Sequence, residues 1–243
     1  MKKKFSYPDS CMRIGCNAML YCKTALENYL VASSCMQDMK DAAKELDMEA
    51  FQKQEDQLHG NLAICIVFSC MCLESFFNNY LAACLGDGLY YKNFDSLNEI
   101  QKLELICSFI FGSPLDKSQA MYCYLAETNK LRNDLVHNKS ISFDFNRYVA
   151  DAPMADNPPN VENPDEQQQE MFASLLVEYA NEIKAAHKAI KLIGMIACFF
   201  DENDPNVHAK SHLFMFSSVI NTLSVSSESP EMKELVSDLF SRI

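Results

Sequence analysis

"NLAICIVFSCMCLESFFNNYLAACL" (residues 61–85) decides the fold. Its apolar residues run almost continuously around a helical circumference, which suits a helix at the centre of a bundle rather than one on a surface. The helix is predicted from about residue 49 to Leu85, where "GDG" supplies a C-terminal stop. The core of the stretch, "LAICIVFSCMCL" (62–73), reads as too short to cross a bilayer and is closed by Glu74.

Helical spacing continues on both sides. Upstream, Met12, Cys16, Met19, Cys22, Leu26 and Leu30 predict a helix over about 9–47. Downstream, a third helix is expected over about 96–111, with Asp95 or Ser96 as its N-cap and "GSP" as its end. A fourth is expected over about 116–138 and a fifth over about 165–200, broken by "DENDPN". Two shorter helices, 206–223 and 230–242, close the chain. Between the fourth and fifth helices, Pro153, Pro158, Pro159 and Pro164 mark a long irregular loop, in which "SISFDF" is a short strand or simply extended.

The expectation is a single all-α domain over 1–243 with about five main helices. An N-terminal helical extension (1–50), an acidic Pro-rich loop (148–166) and C-terminal helices (206–243) surround a core at about 60–200. With 6 Gly, 8 Pro and no Trp, turn-formers are too few for a many-stranded β fold. "MKKKF" is followed by polar "SYPDS" instead of an apolar run, so a cytoplasmic protein with no membrane partner is expected. The 11 cysteines, an odd number with no CxxC pair, read as reduced thiols serving as small core hydrophobes. Cys65, Cys70, Cys72, Cys84, Cys107, Cys123 and Cys198 all lie in apolar helical runs.

A formal net charge of −12 argues against nucleic-acid binding by the whole surface. The charge is unevenly spread. Residues 148–170 hold six acids and no Lys or Arg, whereas 117–147 carry five basic residues against three acids. That second window contains "NKLRNDLVHNKS" (129–140).

On a helix, Tyr124, Thr128, Leu131 and Leu135 would form an inward stripe. Asn133 and His137 would share the opposite face, with Arg132 on the flank. Imidazole is the side chain that exchanges protons near neutral pH, and guanidinium holds phosphate or the charge of a phosphorane. Two such helices facing across a two-fold axis would bring two of each to one cleft.

Arg132-Asn-x-x-x-His137, preceded by "LAETNKL" and placed late in a helical domain, resembles the R-x(4–6)-H signature of the HEPN superfamily. "FSCMCLESFFNNYL" is similar to the family's Glu-bearing helix, and the likeness spans about 60–200. The resemblance implies a metal-independent endoribonuclease that needs no cofactor, works as a homodimer and cuts RNA by 2′-OH attack to leave a 2′,3′-cyclic phosphate. His137 would be the general acid/base, Arg132 would stabilise the scissile phosphate and Asn133 would position it. Asn129, Lys130 and Lys139 would contact RNA locally, while Glu74 and Asn78 would support the site from behind. Glu74 is expected either to face inward and pair with Arg132 or another polar group, or to lie on a solvent edge. Toxin–antitoxin or antiphage defence settings, with an antitoxin or nucleotidyltransferase-type partner, belong to the same resemblance. The alternative is a non-catalytic helical interaction module. His208 and His212, spaced i, i+4, permit zinc but read better as a polar helix face, so no metal site is expected.

Overall fold

The computed structural model describes residues 17–137 and 164–205. They form six helices: α1 Ala18–Lys44, α2 Met48–Leu85, α3 Asp87–Asn93, α4 Glu99–Leu105, α5 Ala120–Val136 and α6 Pro164–Asn203. A π-helical turn, Ile106–Phe111, prolongs α4. No strand occurs among the described residues, and the all-α expectation holds. "SISFDF", the Pro-rich loop up to residue 163 and both short C-terminal helices lie outside the described residues, as do His208 and His212.

α2 is the central helix. It touches α1, α3, α4, α5 and α6, and its buried residues run from Phe51 to Cys84. The turn from α1 is made by backbone closure. Leu46 adopts a left-handed φ of 56°, its N–H donates to Ala43 O at 3.4 Å, and the Asp47 N–H donates to Ala42 O at 3.0 Å. This is the Schellman pattern, with leucine where glycine is usual. Asp47 then caps α2, its Oδ1 accepting the Ala50 N–H at 2.9 Å.

α1 and α2 run antiparallel. The Asn17 N–H donates to Ser75 Oγ, and the rings of Tyr21 and Phe68 meet edge to face at 5.6 Å. α6 runs parallel to α2, through Phe51 on Phe172, Tyr179 to Glu55, His59 to Glu182 and Phe76 on Phe200. His187 meets Tyr29 Oη at 3.1 Å, tying α6 to α1 as well. An aromatic cluster closes the far end: Phe200, fully buried, contacts Phe76, Phe77, Tyr80 and Phe111.

Several boundaries differ from those read in the sequence. "GDGLYYKN" is not only a stop: Gly86, at φ 83°, ends α2 and directly starts α3. A side chain at that φ would be strained. The third predicted helix begins at Glu99, because Asn98 rather than Asp95 or Ser96 is the cap. Asn98 and Gln101 form a reciprocal capping box.

The apolar run 62–73 belongs to a 38-residue helix that is, by length and composition, enough to cross a bilayer. Half of its most apolar window is buried inside the bundle. Among the nine free cysteines described, seven are buried (Cys22, Cys35, Cys65, Cys70, Cys72, Cys84 and Cys107). Cys198 is half-buried, but Cys123 is exposed, contrary to its apolar sequence surroundings.

Candidate functional site

The C-terminal half of α5 carries the Arg–Asn–His motif, and its rotation differs from the sequence expectation. The buried residues are Met121, Leu125 and Thr128. Leu135, expected to face inward, is 45% exposed. The inward stripe therefore lies about 60° round from the predicted one. Arg132 falls in line with Met121, Leu125 and Thr128 and is half-buried rather than standing on an exposed flank.

Arg132 Nη1 donates to Asn133 Oδ1 at 3.0 Å. Its Nε is buried and has no hydrogen-bond partner. Asn133 and His137 are both exposed, as their shared face implies. α5 ends at Val136, so His137 is its C-cap, with φ −110° and ψ 46°. It is still anchored, because its backbone N–H donates to Asn133 O at 2.9 Å. The last one and a half turns or so of α5 thus carry guanidinium, amide and imidazole in succession.

The residues expected around this trio divide. Lys130 is exposed on α5, while Lys139 lies outside the described residues. Asn129 is turned into the protein. Its Nδ2 donates to Glu99 Oε2 on α4 at 3.2 Å, and its Oδ1 accepts from the Cys70 thiol on α2 at 3.7 Å. Thr128 O accepts from the same thiol at 3.8 Å. Burial pushes the Cys70 thiol up to about 12, with Glu99 and Glu74 acting the same way and Arg132 in opposition. At neutral pH the thiol therefore stays protonated and serves as a donor.

Glu74 is half-buried in mid-α2, and no ion pair joins it to Arg132. Asn78, one turn on, accepts a hydrogen bond from Tyr90 Oη of α3 at 2.6 Å. Burial raises the Tyr90 phenol, and Asp95, Tyr91 and Glu74 add to that. Asn78 is thereby committed to holding α3 against α2.

Cys70 and Glu99 are the participants that sequence reading missed. Cys70 stands four residues before Glu74 on the same face of α2, a spacing that was available. Glu99 lies 30 residues from Asn129, and no local pattern links them.

A separate open groove of about 240 Å³ lies between α5 and α6, bounded by Glu127, Leu131, Lys184 and Lys188. Lys188 is paired with Glu127 at 2.8 Å and sits over the Tyr124 ring. By helical position the groove is on the side of α5 away from Asn133 and His137. Among the described residues no three His, Cys, Asp or Glu side chains are grouped to hold a metal ion.

The described residues define an all-α bundle with a polar motif at the end of α5. No protein-family model, no curated protein and no solved structure matches the chain.

Proposed function

We propose that this chain is a HEPN-like, metal-independent endoribonuclease that works as a homodimer in the cytoplasm, as a toxin or antiphage defence component. The observation that carries the reading is the succession at the end of α5: Arg132 bonded to Asn133, and His137 exposed one turn beyond Asn133. Cleavage through an internal ribose nucleophile calls for a proton carrier and a fixed cation at the scissile phosphate.

In the proposed reaction His137 accepts the proton of the ribose 2′-OH as O2′ bonds to phosphorus. The P–O5′ bond breaks, and the departing O5′ takes a proton from the partner subunit's His137. The products are a 2′,3′-cyclic phosphate and a 5′-hydroxyl. Arg132 offsets the negative charge that builds on the phosphorane, and Asn133 holds the guanidinium in place.

The test is single-stranded RNA incubated with the purified protein in EDTA. Fragments ending in 2′,3′-cyclic phosphate, with a 2′-deoxy substrate left intact, support the reading. Cleavage of the 2′-deoxy substrate at the same rate contradicts it.

A second reading, a non-catalytic interaction module, is favoured by Leu135 and Val136, 45% and 50% exposed beside the motif. Apolar side chains at a helix end suit a protein contact. In that reading Leu135→Asp abolishes partner binding while His137→Ala leaves it intact.

A further inference from the structure

Among the described residues Arg132 makes a single hydrogen bond, to the next residue of its own helix, and its buried Nε has no partner there. The bond to Asn133 holds the guanidinium relative to its own helix, so where it stands in the bundle depends on how α5 is seated. Asn129, one turn earlier and about 60° round the helix from Arg132, spends both ends of its amide on other helices. Nδ2 donates to Glu99 on α4 and Oδ1 accepts from Cys70 on α2. Three elements therefore meet one turn before the motif. Glu99, Glu74 and Arg132 all act electrostatically on that thiol, so the two carboxylates and the guanidinium share its surroundings.

The geometry points to Glu99, acting through Asn129, as a positioning residue for Arg132. The Glu99–Asn129–Cys70 bracket sets the rotation of α5 against α2 and α4, and Asn129 belongs to it rather than to the substrate. The site's chemistry rests on the nuclease reading, but the bracket does not. Rotation of α5 carries the half-buried Arg132 with it.

The test uses the full-length protein with 15Nε-labelled arginine. The chain has four arginines, Arg13, Arg132, Arg147 and Arg242, so the Arg132 Nε–Hε cross-peak is assigned by its loss in Arg132→Lys. Asn129→Ala and Glu99→Ala are expected to shift or broaden that peak. Glu99→Gln, which keeps a carbonyl acceptor for Asn129, returns it close to the wild-type position. Glu104→Ala removes the Lys117–Glu104 pair elsewhere on α4 and leaves the peak in place. If Glu99→Ala does not fold, Asn129→Ala carries the test with Glu99→Gln as its control. An unmoved Arg132 peak in Asn129→Ala overturns the proposal.

Kinetics then separate the roles. A positioning residue lowers kcat, here by about 10- to 100-fold, and leaves KM unchanged. A raised KM with an unmoved peak makes Asn129 a substrate contact and overturns the proposal. If the peak responds but the wild-type protein cuts no RNA, the bracket stands and the nuclease reading falls.

Discussion

Arg132 and Asn133, adjacent in sequence, are joined side chain to side chain at 3.0 Å, and the Asn133 backbone carbonyl accepts the His137 backbone N–H at 2.9 Å. Asn133 therefore holds the cation through its side chain, while its backbone anchors the residue that carries the imidazole. Replacing it with Ala removes the one hydrogen bond that the guanidinium makes among the described residues. Cleavage by Asn133→Ala should fall by about 10- to 100-fold while its thermal midpoint stays within a few degrees of wild type. Both are read from one preparation by RNA cleavage and calorimetry.

Phe200 holds the far end of the bundle. Its ring meets Phe76, Phe77, Tyr80 and Phe111 and is fully buried. Phe200→Ala should cost about 3–5 kcal/mol through lost burial and a residual cavity. Urea unfolding measures it, and a loss below about 1 kcal/mol would mean that the cluster is not packed this way.

The start of α2 depends on one carboxylate. Asp47 Oδ1 accepts the Ala50 N–H, so Asp47→Ala should destabilise by about 1 kcal/mol. Asp47→Asn, which keeps the acceptor, should restore most of it in the same unfolding experiment.

Alkaline pH should weaken the fold through its buried thiols. Burial lifts Cys70 from its usual 9.0 to about 12. Its contribution is therefore complete below pH 9, where folded and unfolded chains both keep the proton, and is lost as pH rises through 12. Over that window each such thiol removes up to about 1.4 kcal/mol per pH unit. Unfolding free energies at pH 8 to 10.5 should decline less steeply in Cys70→Ala than in the wild type; equal slopes would contradict the burial of this thiol.

Thiol accessibility is a direct check on the packing. In the native protein iodoacetamide should label Cys123 within minutes, while Cys65, Cys72 and Cys107, all within 1% of full burial, react only on unfolding. Peptide mass spectrometry assigns each site.

The long helices were legible because their signals are local. The apolar circumference of 61–85 and the stop at "GDG" mark α2 to within a residue of its ends. α3 was not legible, since a helix that starts directly at Gly86 looks like a turn in sequence. In the motif helix, Asn133 and His137 stand on the exposed face that spacing predicts. The inward stripe was misplaced because aromatic Tyr124 and two leucines outweighed Met121 and Leu125 as apolar markers. The rotation of α5 depends on Glu99 and Cys70, and neither is near it in sequence.

Arg132 and His137 are proposed to cut RNA together without metal. The most direct test of this is 5′-labelled single-stranded RNA in EDTA, with wild-type protein, Arg132→Ala and His137→Ala purified in parallel. Cleavage by the wild type and none by either variant is the result expected. Equal cleavage by all three, or none by the folded wild type, would contradict it.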